Sequence, residues 1–115
     1  MGDWFLIQFE TSPVDDKTLI RCVSYDDRGI SDEVTSIILK ASDAKKLRNV
    51  LENHIESIMY VNDFGYYARF SREVSGALRT LIRAAREGQT DVAKAVLSAI
   101  LSEDWEQAVS YGLLL

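Results

Sequence analysis

The chain has 115 residues, 47% hydrophobic and 27% charged, which fits a single globular domain spanning 1–115 with one apolar core. One cysteine, Cys22, excludes an internal disulfide, and one histidine, His54, leaves too few soft ligands for a zinc site. The formal net charge of −5 argues against a nucleic-acid binder and for basic partners.

Trp4 to Glu10 alternates as a strand, with Phe5, Ile7 and Phe9 on one side and Trp4, Leu6, Gln8 and Glu10 on the other. The apolar run Trp4–Ile7 is too short for a membrane span or a signal-peptide core. Met1-Gly2 lacks the Ser or Thr that myristoylation needs, since Leu6 stands there, and a cytoplasmic protein is expected. Thr11 to Asp16, with the only proline, reads as a loop. Thr18 to Tyr25 is a second strand. Asp26-Asp27-Arg28-Gly29 is a turn that lacks the alternating acids of a calcium loop, and Val34 to Leu39 is a third strand.

From Ser42, taken as the cap, the stripe Leu47, Val50, Leu51, Ile55, Ile58 and Met59 predicts one long helix, with His54 beside the stripe. Tyr60 to Phe70 holds Tyr60, Phe64, Tyr66, Tyr67 and Phe70, with a turn at Asn62-Asp63-Phe64-Gly65 and a fourth short strand open as a reading over Tyr66 to Phe70. Asp63-Phe64-Gly65 matches a kinase tripeptide, but the glycine-rich and catalytic loops of that fold are absent.

Ser71 then caps a helix whose apolar face is Val74, Ala77, Leu78, Leu81, Ile82 and Ala85. Arg72, Arg79, Arg83 and Arg86 fall within about 40° of one direction on its opposite side. Gly88 ends that helix and Thr90 caps the next, whose stripe is Val92, Val96, Leu97, Ile100 and Leu101. The run Ala84-Ala85-Arg86-Glu87-Gly88 through Val92 and Val96-Leu97 resembles the helix-turn-helix of one ankyrin repeat. The resemblance covers one repeat without a second copy, and implies an antiparallel hairpin and no function. Gly76, Thr80 and Ala84 form a small-residue ridge open to close helix packing. A last helix starts at Ser102-Glu103-Asp104 and ends at Gly112, and Leu113 to Leu115 are expected to tuck against the domain.

The fold class expected is α+β: a three-stranded antiparallel meander, open to a fourth strand, under a long helix, followed by a helical hairpin and a short last helix. Charge is uneven, net −4 over 1–40, zero over 41–70, +2 over 71–88 and −3 over 89–115. The primary functional expectation is therefore an acidic, inhibitor-like interaction domain, of the kind represented by immunity proteins and antitoxins. It would occlude a basic protein through Asp26, Asp27, Asp32, Glu33, Tyr60, Phe64, Tyr66 and Tyr67. The alternative is a dimeric adaptor, joined through the small-residue ridge, that reads an acidic ligand or nucleic acid with Arg72, Arg79, Arg83 and Arg86. A third reading is an enzyme using His54 and a carboxylate. No catalytic residue, cofactor, metal or membrane contact is expected on the primary reading.

Overall fold

The computed structural model describes residues 4–26, 28 and 31–115, the side chains of 31–34 excepted. Strict alternation makes Trp4–Thr11 a strand, β1, that buries Phe5 and Ile7 and leaves Trp4, Leu6 and Gln8 half-buried on the other side. After the proline loop, β2 (Lys17–Tyr25) returns antiparallel with Thr18 opposite Thr11 and Tyr25 opposite Trp4. β3 (Ser31–Lys40) adds to the far side of β2, completing the expected meander.

Here the chain departs from the helical stripe. α1 is only Ala41–Glu52, and Ile55–Asn62 is a strand, β4, paired antiparallel with β5 (Gly65–Phe70). The long helix is thus corrected to a helix, a turn at Asn53-His54 and a strand. Ile55, Ile58 and Met59 satisfy helical spacing, but Ile55 to Val61 is also rich in β-branched and aromatic residues, and the pairing offered by β5 decides between them. Ser42 lies inside α1 and makes no cap; the N-cap position is Lys40. β5 pairs antiparallel with β1, so the sheet has five strands in the order β3-β2-β1-β5-β4.

The helices follow as α2 (Arg72–Arg86), α3 (Thr90–Leu101), α4 (Trp105–Ser110) and a 3-10 turn (Tyr111–Leu114). Gly88, at φ +72°, supplies the left-handed residue between α2 and α3. Gln89, not Thr90, is the N-cap of α3, and Asp104 caps α4 by accepting from the Gln107 N–H at 3.3 Å. Helix residues Leu47, Leu51, Leu78, Leu81, Ile82, Val96, Ile100 and Ala108 join strand residues Phe5, Ile7, Ile20, Cys22, Tyr66 and Phe70 in one cluster. All of those strand residues share one face of the sheet. The helices therefore cover that face alone.

The small-residue ridge is spent inside this layer. A Cβ at Gly76 would lie 3.2 Å from Val109 Cγ2, and one at Gly112 would lie 3.7 Å from Thr80. α4 and the 3-10 turn pack there, so the ridge is not a dimer face. Gly112 sits within the 3-10 turn instead of ending α4, and Leu113 and Leu114 are exposed where a tucked tail was expected.

Ser24 is 1% exposed, and its hydroxyl has no hydrogen-bond partner among the described residues. An unpaired buried hydroxyl costs about 1–3 kcal/mol, so Ser24→Ala is expected to raise the urea midpoint, by about 1 kcal/mol in stability. A fall in the midpoint would mean that the hydroxyl has a partner in the native protein.

Candidate functional site

Among the described residues, one-sided coverage leaves the second face of the sheet without helices. The register places Tyr25, Trp4, Arg69 and Ser57 in one row across β2, β1, β5 and β4, and Val23, Leu6, Tyr67 and Tyr60 in the next. Their rings meet. Tyr67 stacks on Tyr25 at 5.5 Å between centroids and receives Trp4 and Tyr60 edge-on at 5.6 and 5.9 Å. The Arg69 guanidinium lies 5.7 Å from the Trp4 ring centre and donates to Ser57 Oγ at 3.2 Å, which holds the indole in place. Val23, in the row of Leu6 and Tyr67, is 8% exposed on this face.

Toward the other end, Arg21 and Gln8 face each other across β1 and β2, and Leu19 and Ile38 across β2 and β3. There Gln8, Glu10, Leu19, Arg21, Asp63 and Phe64 line an open cavity of ≈540 Å³. Phe64, 71% exposed, stands at its rim on the β4–β5 turn, and the Phe9 N–H donates to the Phe64 carbonyl at 2.7 Å. Glu10, Asp15 and Asp63 are exposed around the cavity and the adjoining loop. Exposed Arg21 and Lys17 stand among them, so this end of the face carries charges of both signs.

The turn is fixed from beneath by Arg48 of α1. Its guanidinium donates to the Asn62 carbonyl at 2.7 Å and the Asp63 carbonyl at 3.0 Å, and lies 5.4 and 5.3 Å from the ring centres of Phe9 and Tyr66. Glu52, one turn along α1, pairs with it at 3.4 Å.

The sequence-predicted surface is brought together in part. Tyr60, Phe64 and Tyr67 reach this face or its rim. Tyr66 is corrected: it is fully buried, and its hydroxyl donates to the Arg48 carbonyl at 2.7 Å. Successive strand residues face opposite ways, so Tyr66 and Tyr67 could not share a surface. Burial, with Glu52 nearby, pushes the Tyr66 phenol above its ordinary range. Asp26 accepts from the Arg28 backbone N–H at 2.9 Å and pairs with the Arg28 guanidinium at 2.8 Å, so its charge is largely answered by its own turn. Asp27 lies outside the described residues, as do the side chains of Asp32 and Glu33. Sequence reasoning missed Trp4, Tyr25 and Arg69 as members of the face. Alternation along β1 and β2 carried that signal, because Trp4, Leu6 and Tyr25 fall on the side opposite the core residues.

Elsewhere, Arg72, Arg79, Arg83 and Arg86 are all exposed on α2; Arg83 pairs with Glu87 at 3.5 Å, and Arg79 and Arg86 are engaged as well. His54 lies in the α1–β4 turn instead of a helix. Its Nε2 is 3.0 Å from Glu103 Oε1, and its ring meets Trp105 edge-on at 5.0 Å. This pair ties the α1–β4 turn to the turn before α4. Cys22 is buried, and burial pushes its thiol up to about 12, which keeps it protonated and unreactive at neutral pH.

Among the described residues no three metal-ligating side chains cluster, and no helix is long and apolar enough to cross a membrane. The chain matches no protein-family model, no curated protein and no solved structure.

Proposed function

We propose that this chain is a protein-interaction domain that binds and occludes a basic partner with the uncovered face of its sheet. The observation that carries the reading is the ring cluster of Trp4, Tyr25, Tyr60 and Tyr67, part-exposed on a face that no helix covers. Tryptophan and tyrosine offer large, rigid contact area with polar tips at low entropic cost, and such residues dominate binding energy at interfaces. Contacts among the rings hold them in place before binding, which reduces the ordering cost further.

The net charge of the chain supplies the partner's character. The whole chain carries −5, so a basic surface is drawn in. Asp26 contributes less than its sequence position suggests, because Arg28 already neutralises it. The exposure of all four α2 arginines favours the second reading, an acidic ligand on that helix.

Photo-crosslinking separates the two. A benzophenone side chain would replace Tyr60 in one protein and Arg79 in another, each irradiated in source-cell extract at low and high salt. The interaction reading expects one basic protein captured from position 60, lost at high salt, and no capture from position 79. Capture from position 79 alone, or of nucleic acid at either position, would overturn it.

A further inference from the structure

The hollow at the loop end of the uncovered face has its cause in the register. β5 begins at Gly65, opposite Gln8, whereas β1 runs on to Thr11. The row of Gln8 therefore meets a residue without a side chain, and the row of Glu10 meets nothing from β5. The space left between β2 and the Asp63-Phe64 turn is the cavity of ≈540 Å³, within the roughly 300–1,000 Å³ of small-molecule sites. Its charges lie on opposite walls, Glu10 and Asp63 on β1 and the turn, Arg21 on β2. Among the described residues, none of these three side chains makes a hydrogen bond or an ion pair, although they line one cavity. By contrast Arg28, Arg48 and Arg83 each answer an acid.

Phe64, with Leu19, gives the hollow its apolar wall. The ring is exposed, but its backbone is held on both sides. The Phe64 N–H donates to Asn62 Oδ1 at 2.8 Å, and the Phe64 carbonyl accepts from the Phe9 N–H at 2.7 Å. The Arg48 guanidinium holds the two carbonyls before it. A ring anchored in this way is in place before anything binds, which lowers the ordering cost of binding.

We propose that this cavity binds a small zwitterion, an α-amino acid with an apolar side chain. A cation alone would face Arg21, and an anion alone would face Glu10 and Asp63. Both repulsions are offset for a molecule that carries both charges. The carboxylate takes the planar fork of Arg21, beside the Gln8 amide opposite it in the register, and the ammonium takes Glu10 and Asp63. The apolar side chain lies against Phe64 and Leu19. Each charged group of the hollow then gains a partner that the fold does not supply. The site lies at the end of the face away from Trp4 and Tyr25, and it does not rest on the reading of a basic protein partner.

The test titrates the isotope-labelled full chain with L-phenylalanine to about 10 mM, following backbone amide shifts, with calorimetry for the affinity. Two analogues each lack one charge: hydrocinnamate keeps the carboxylate and phenethylamine keeps the ammonium. The proposal expects saturable binding of L-phenylalanine, shifts centred on residues 8–11, 19–21 and 62–65, and at least ~10-fold weaker binding of either analogue. Arg21→Gln and Glu10→Gln should each weaken binding at least ~10-fold, while Tyr60→Ala leaves it unchanged. Arg21 and Glu10 are exposed and unpaired, so thermal unfolding of both variants should match the wild type. Absence of saturable shifts at the highest concentration, or shifts centred elsewhere, would overturn the proposal. So would hydrocinnamate or phenethylamine binding as tightly as the amino acid, which would make the hollow a simple anion or cation site. Variants that bind as the wild type does would equally sink it. Capture from position 60 does not depend on the amino acid, so the two proposals fail separately.

Discussion

Gly65→Ala is expected to lose about 3–5 kcal/mol of stability or fail to fold. Gly65 opens β5 at φ +148°, where side-chain-bearing residues rarely sit, and it faces Gln8 of β1 in the register. A Cβ there would come 1.9 Å from the Ile7 carbonyl oxygen and 2.9 Å from its carbon. The obstacle is backbone, so no side-chain rotation relieves it. Either β1 and β5 separate, breaking the pairing that joins the β4–β5 hairpin to the rest of the sheet, or the turn rebuilds. Gly88→Ala is the control, since it shares a positive φ of +72° but meets nothing within 4 Å. It is expected to cost only about 1 kcal/mol. Chemical denaturation of both variants measures the difference, and equal losses would refute the close approach.

Arg48→Ala is expected to cost about 2–4 kcal/mol and to loosen the β4–β5 turn more than the sheet. The side chain does three things at once: it satisfies the Asn62 and Asp63 carbonyls, fills the space between the Phe9 and Tyr66 rings, and pairs with Glu52. Its removal strips charge-assisted donors from the turn and leaves a gap where its stem packed. Arg48→Lys should recover only part of the loss, because one ammonium cannot reproduce a planar fork aimed at two successive carbonyls. The readout is hydrogen exchange at residues 62–65 alongside the urea midpoint. Wild-type protection of the turn in Arg48→Ala would show that the clamp does not hold it.

The meander was legible because β1 to β3 are joined by short links and each strand alternates clearly. The α2–α3 turn was legible because Gly88 stands where a left-handed residue must be. β4 was not, since Ile55, Ile58 and Met59 satisfy helical spacing as well as strand composition, and only pairing with β5 distinguishes the two. The Tyr66 error has the same origin. Without a register for β5, neighbouring tyrosines could not be assigned to opposite faces. The Arg48 clamp joins residues 14 and 15 apart in sequence, and nothing local to α1 announces it. The acid at Asp26 read as free charge because its partner, Arg28, is set by the geometry of the turn.

These particulars converge on the ring face. Gly65 lets β5 approach β1, Arg48 fixes the turn beside the cavity, and the β1–β5 pairing sets Tyr67 between Trp4, Tyr25 and Tyr60. The stability of the hairpin and the geometry of the candidate surface are one property.

The most direct test of the binding claim is calorimetric affinity for the protein captured at position 60, comparing wild type with Tyr60→Ala and Arg79→Ala. Tyr60 is expected to be a binding anchor, so its truncation should weaken binding ~10-fold or more, while Arg79→Ala leaves it unchanged. Unchanged affinity in Tyr60→Ala, with the loss appearing in Arg79→Ala, would contradict the account and move the site to α2.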